Sequence, residues 1–328
     1  MERKTNGRIK KRDRTVEGQI ELEHLLLIGF FMSAYAVVAN DSIQTLGTFI
    51  SSNKQRAWYH LWLWFGGIMV VTATVGWFLN DGDLSWGRLS TIPYPDVFKY
   101  KYLLAPVCLL VLTRVGVPVS TTLFTLTTFA STPTIMKMVK KSVTGYVVAS
   151  VVAFLIWTLV AKHVKKHKEW WSDVSPMWGK LQLVSTSFLW ITWLMHDTAN
   201  ECVFLPRDIP VSILIMYLTT AFSLLGVIFY LRGGKIQEVV QRKSDVINLK
   251  QVTIIDFVYG ILLFMFKVVN PIPMSTTWLF VGMLAGREIA MTQVLKKKQR
   301  ESFVGVGWDF VRLVIGLVIS VGVAVYLP

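Results

Sequence analysis

Apolar residues along this chain run in unbroken blocks. Leu25–Ala39, Ala57–Leu79, Tyr100–Thr113, Val117–Phe129 and Val143–Ala161 fill the first half. Leu181–Met195, Ile209–Leu231, Val252–Val269, Pro273–Ala285 and Val304–Leu327 fill the second. A helix needs about 20 apolar residues to cross a bilayer core of about 30 Å, and the longer blocks meet that length. Lipid offers no partner to an exposed peptide group, so each block must satisfy its own hydrogen bonds, which favours helices. The runs lack the period-two alternation of a membrane β-barrel. The pattern predicts an all-α integral membrane protein with about five hydrophobic segments in each half. Trp58, Trp62, Trp64, Trp170, Trp171 and Trp178 sit near block ends, where indole rings anchor helices at the lipid–water interface.

Two blocks depart from the pattern. Val117–Phe129 and Pro273–Ala285 are short, begin at or beside a proline, and each carry a Ser-Thr-Thr run. Such segments suit broken or re-entrant helices that line a polar cavity near the membrane midplane.

Composition agrees with a lipid solvent: 53% of the 328 residues are hydrophobic and 16% charged, with a mean hydropathy of +0.50. The net charge of +14 is the one feature that hints at nucleic acid. The basic runs Arg8–Arg14, Lys137–Lys141, Lys162–Lys168 and Lys296–Arg300 flank or separate apolar blocks, however, so lipid head groups are the expected partner and nucleic acid is not. The basic N-terminus predicts a cytoplasmic start. No secretory cleavage pattern precedes the first block, so it is expected to persist as a span. The chain is accordingly divided into a basic tail (1–20), a first transmembrane repeat (21–162), a basic linker (163–179) and a second repeat (180–328). Cys108 and Cys202 make no disulfide framework, and the five histidines show no metal-ligand spacing, so no resident cofactor is expected.

The halves share more than hydropathy. Asn40-Asp41-Ser42-Ile43-Gln44 in the first matches His196-Asp197-Thr198-Ala199-Asn200 in the second. Pro118-Val119-Ser120-Thr121-Thr122 matches Pro273-Met274-Ser275-Thr276-Thr277. The aspartate and the serine lie 79 residues apart in the first half (41 to 120) and 78 in the second (197 to 275). Two motifs recurring in the same order at the same spacing indicate a duplication. An odd number of crossings per unit makes the two copies inverted repeats, with a binding site where their broken helices meet.

These duplicated elements resemble those of the inorganic phosphate transporter (PiT) family of cation-coupled anion symporters, which carries G-A-N-D-V-A-N-A and P-V-S-T-T twice. The likeness covers nearly the whole transmembrane part. Gln44 and His196 stand where the family has Asn, and Glu201 where it has a small residue, as in a divergent member. The resemblance implies secondary active transport of inorganic phosphate, coupled to Na⁺ in preference to H⁺, in the cell (plasma) membrane. It places the anion on Ser120, Thr121, Thr122, Ser275, Thr276 and Thr277, with Asp41 and Asp197 shared between anion and cation.

The residues support that chemistry on their own terms. Six hydroxyls, joined by free amides if each run opens a half-helix, can hold a tetrahedral oxyanion. Asp41 and Asp197, with the amide oxygens of Asn40, Gln44 and Asn200, are hard ligands suited to Na⁺. His196 is a candidate selectivity residue, either bonding the anion or titrating beside it. Glu201 and Arg207 read as an ion pair in the following loop, and Arg287 and Glu288 as charges snorkelling or pairing at a helix end. Lys267 is a further positive charge that could approach the anion. Sulfate or another tetrahedral oxyanion is the alternative cargo. A membrane-embedded enzyme fits less well, because catalysis seldom needs two equivalent half-sites, and a non-transporting scaffold would waste the polar midplane. A homodimer is the expected assembly.

Overall fold

All regular structure in the described residues of the computed structural model is helical. These residues are 2–115, 119–167, 175–233, 249–295 and 299–326; the side chains of 2–20, 43–44, 113–115 and 299–301 lie outside the description. The helices are α1 (Glu2–Ser52), α2 (Trp58–Leu79), α3 (Lys101–Val115), α4 (Thr121–Phe129), α5 (Thr132–Lys166) and α6 (Pro176–Asp197). They continue with α7 (Ala199–Cys202), α8 (Val211–Tyr230), α9 (Leu249–Val269), α10 (Thr276–Leu295) and α11 (Gln299–Tyr326). Among the described residues, six segments are long and apolar enough to cross a membrane: Glu21–Ser42 within α1, α2, α5, α8, α9, and Ser302–Tyr326 within α11. Outward faces carry exposed Val71, Phe78, Leu159 and Val318, which lipid solvates without cost. The chain is a multi-pass integral membrane protein.

Several blocks read from hydropathy belong to longer helices, because charges that end an apolar run need not end a helix. Arg287 and Glu288 lie inside α10. Arg287 is buried, donates to Gln251 Oε1 at 3.1 Å and lies over the Trp157 ring; Glu288 accepts from Ser302 at 2.8 Å. The expected snorkelling at a helix end is therefore replaced by inward packing for Arg287. The basic run Lys137–Lys141 is likewise helical, within α5, and Lys141 turns inward: its ammonium donates to Asn270 O (2.9 Å), Asn270 Oδ1 (2.7 Å) and Ile272 O (2.9 Å). At nine residues, α4 is about 13 Å long at 1.5 Å per residue, too short to span. It stops at extended Ala130 and Ser131, and Pro133 opens α5.

α5 packs along α10 and α11 on α4; α6 packs along α9 and α1 on α3; α2 packs against α8. The α5–α10 contact brings backbone onto backbone. A Cβ on Gly282 would lie 2.4 Å from Tyr146 O, and one on Gly286 2.0 Å from Ser150 O. Small residues four apart allow this approach, the commonest device for packing helices in lipid. It has a positional consequence, because α5 carries Ser142, whose hydroxyl accepts from Ser275 N at 2.9 Å and so fixes the turn that opens α10.

Candidate functional site

Both Ser-Thr-Thr runs open helices. Ser120 is extended (φ −85°, ψ 108°) and its hydroxyl accepts from Leu123 N at 3.1 Å. The Ser275 hydroxyl accepts from Trp278 N at 3.2 Å. These are N-caps, the role that serine fills best. Each serine oxygen thus accepts from backbone and keeps its O–H donor, and the threonines that follow present hydroxyls from the first turn, where amides are free and the helix end is partly positive.

The threonines meet the carboxylates. Thr121 Oγ1 donates to Asp41 Oδ2 in a short hydrogen bond, and Thr276 Oγ1 donates to Asp197 Oδ2 at 2.7 Å; the same bond is made in each half. Two further bonds cross between halves: Thr122 Oγ1 to Asp197 Oδ1 at 3.1 Å and Thr277 Oγ1 to Val119 O at 3.5 Å. Asn200 Nδ2 reaches Asp197 Oδ1 (2.9 Å), Thr122 Oγ1 (3.2 Å) and Thr121 Oγ1 (3.4 Å). Asn40 Nδ2 donates to Asp41 Oδ1 at 2.6 Å and to Val119 O at 3.3 Å. All these residues are buried, with Asp41 1% and Asp197 0% exposed, so neither aspartate faces water at an interface.

α1 runs unbroken through Asp41, and the backbone of the second copy stays helical at Thr198 (φ −54°, ψ −31°), where α6 passes into α7. His196, the counterpart of Asn40, bonds Leu263 O through Nε2 at 2.8 Å. A carbonyl only accepts, so Nε2 carries the proton and a neutral ring leaves Nδ1 as an acceptor; Nδ1 is buried without a protein partner. The side chain of Gln44, and Pro118, lie outside the described residues.

Asn200 Oδ1 and Glu201 Oε2 are also buried without protein partners. Both are hard oxygens next to Asp197 in sequence and fit a small cation better than a soft metal. Glu201 bonds Tyr217 and does not pair with Arg207 as expected. Arg207 instead donates to five carbonyls, Ile92, Pro93, Cys202, Val203 and Leu205, at 2.9 to 3.4 Å. That ties the loop after α7 to the loop before α3. Burial pulls its guanidinium down to about 10, so it stays charged at neutral pH.

A search of solved structures finds "The sodium-dependent phosphate transporter", 15% identical, with a TM-score of 0.64 over 93% of this chain and 97% of that one. The two share a fold. At that identity the likeness speaks for architecture alone, an all-helical membrane fold. Protein-family models and curated protein sequences give no match.

Three further buried polar groups were given no role by the sequence reading. Asp256 accepts from Thr48 at 3.2 Å and Thr186 at 2.5 Å. Lys141 looked like part of a lipid-facing run. Arg88, in the loop between α2 and α3, is 1% exposed and leaves all three guanidinium nitrogens without a protein partner. The only signal for Arg88 was a single arginine among Leu84, Leu89 and Ile92, in a stretch that reads as a linker.

Proposed function

We propose that the chain is a secondary active symporter of inorganic phosphate driven by Na⁺, with its halves related as inverted repeats. The observation that carries this reading is the single buried network joining Asp41, Thr121, Asn200, Thr122, Asp197 and Thr276 across both halves. Such a network at the junction of two helix N-termini suits an anion flanked by cations: hydroxyls and free amides serve the anion, and carboxylate and amide oxygens serve Na⁺. Placing a cation beside the dianion lowers the cost of desolvating both and links their movements. The solved structure that shares the fold is named for sodium-dependent phosphate transport, which supports the same cargo and driver here.

Phosphate and sulfate differ at this site through one proton. HPO₄²⁻ can donate to Asp41, Asp197 or His196 Nδ1; sulfate at neutral pH cannot. Leaving one such buried acceptor unpaired costs about 1–3 kcal/mol, roughly 5- to 150-fold in affinity. Unlabelled phosphate should therefore displace labelled phosphate at least about tenfold better than sulfate does, with little change across the titration range of an ordinary histidine. Sulfate competing more strongly, most of all at low pH, would make the cargo sulfate and His196 a donor to it.

A further inference from the structure

We propose that Arg88 is the anion-binding charge of this site, taking two oxygens of a tetrahedral oxyanion in its guanidinium fork while Lys141 and Lys267 supply supporting field. The inference rests on the transport reading for its assay and on the loop's geometry for its content. Arg207, half-buried, spends its guanidinium on five carbonyls. Arg88 is buried more deeply, and its Nε, Nη1 and Nη2 have no protein partner. Burying a guanidinium with no protein group to receive its donors is costly, and a bound oxyanion would return that cost.

The loop holds Arg88 firmly. Asp83 accepts from Ser85 N and Gly87 N, both at 2.7 Å, and the Ser85 hydroxyl accepts from Leu89 N at 3.2 Å. Lys267 donates to Trp86 O at 2.8 Å. Trp86 and Gly87 adopt positive φ (54° and 77°), the left-handed turn that sends Arg88 inward between buried Leu84 and Leu89. A side chain fixed this way meets its ligand with little ordering cost.

The surroundings choose the sign of the ligand. Asp197 is the carboxylate within electrostatic reach of the guanidinium, and it already accepts from three side chains. His196, Lys141 and Lys267 lie within reach of the same guanidinium. Arg88, with Lys267 in reach, thus puts positive charge beside Asp197, which suits an oxyanion bound next to that carboxylate. The three donors of Lys141 are engaged with Asn270 and Ile272, so it acts through its field. Arg88 offers free donors in the planar fork that matches two oxygens of phosphate or sulfate.

The test is Arg88→Gln and Arg88→Lys in the full-length chain, reconstituted in proteoliposomes and checked for folding by size exclusion. Arg88→Gln should raise the phosphate concentration for half-maximal uptake about tenfold or more, the cost of a charged hydrogen bond, and leave the Na⁺ concentration for half-maximal uptake within about twofold of wild type. Arg88→Lys keeps charge without the fork and should fall between. An unchanged phosphate half-saturation in a folded Arg88→Gln variant overturns the inference; if that variant does not fold, an unchanged value in Arg88→Lys does so. If the wild type takes up no phosphate, the transport reading fails by itself. Thermal stabilisation of the detergent-solubilised chain by inorganic phosphate and by sulfate then decides about Arg88. Stabilisation of the wild type that is lost in the variants upholds the anion site, and an equal response, or none in the wild type, refutes it.

Discussion

Asp197→Asn is expected to reduce Na⁺-driven phosphate uptake to background while leaving a folded protein. Asp197 Oδ1 accepts from Asn200 and Thr122, and Oδ2 accepts from Thr276. An asparagine keeps an oxygen for the first two donors and turns an NH₂ toward Thr276, whose hydroxyl can reverse and accept. The shape and the hydrogen bonds therefore survive, and what disappears is the charge. A charged ligand contributes about 1.5–3 kcal/mol more than its neutral replacement, roughly 10- to 150-fold in apparent Na⁺ affinity. Because Asp197 joins both Ser-Thr-Thr helices, the loss should reach coupling as well as affinity. Asp41→Asn, at a carboxylate that accepts from Thr121 and Asn40 among the described residues, should weaken Na⁺ dependence in the same direction. Initial uptake rates across a Na⁺ titration provide the check, and unchanged apparent Na⁺ affinity in both variants would remove these carboxylates from the cation site.

The second large effect is on folding. Gly286→Val should abolish recovery of monodisperse protein. Its Cβ would sit 2.0 Å from Ser150 O, 2.8 Å from Ser150 C and 3.0 Å from Phe154 N, all backbone atoms. No side chain can move aside, so α5 and α10 must separate along their shared length. Overpacking of this kind costs about 1–3 kcal/mol where the surroundings can adjust, and more where they cannot. Separation would also pull Ser142 from Ser275 N and misplace the start of α10. Gly307→Ala is the control, since nothing lies within 4 Å of its Cβ position. Size-exclusion profiles and melting temperatures should show a near-wild-type control and a collapsed Gly286→Val; equal behaviour would mean the helices are not held this closely.

What the sequence disclosed, and what it withheld, follows from the kind of signal each feature leaves. The duplicated motifs were visible because Asp41 with Ser120 and Asp197 with Ser275 repeat at one spacing, and the structure brings Asp41, Asp197, Asn40, Asn200 and the four threonines into one buried network. The serines' use as helix caps was not visible, since Ser-Thr-Thr reads alike whether its first hydroxyl faces cargo or backbone. Helix ends were misjudged wherever a charge was taken for water. Arg287 on Trp157 and Lys141 on Asn270 are charges that the protein itself solvates, and hydropathy cannot distinguish that from an interface. The Glu201–Arg207 pairing failed for a related reason: nearby opposite charges suggest a bridge, yet three carbonyls at the turn after α7 and two in the loop before α3 receive the guanidinium. Arg88 left almost no trace, because a loop folding inward has no periodicity to betray it.

The account stands most directly on transport itself. The purified full-length chain is reconstituted in proteoliposomes, and labelled phosphate uptake is followed with Na⁺ outside, with Na⁺ equal on both sides, and with K⁺ replacing Na⁺. Two buried carboxylates joined to two anion-facing helix ends predict accumulation above the equilibrium level only under the inward Na⁺ gradient, and none in Asp197→Asn. Uptake that is absent in all three conditions, or equal with and without the gradient, would contradict a Na⁺-coupled phosphate symporter.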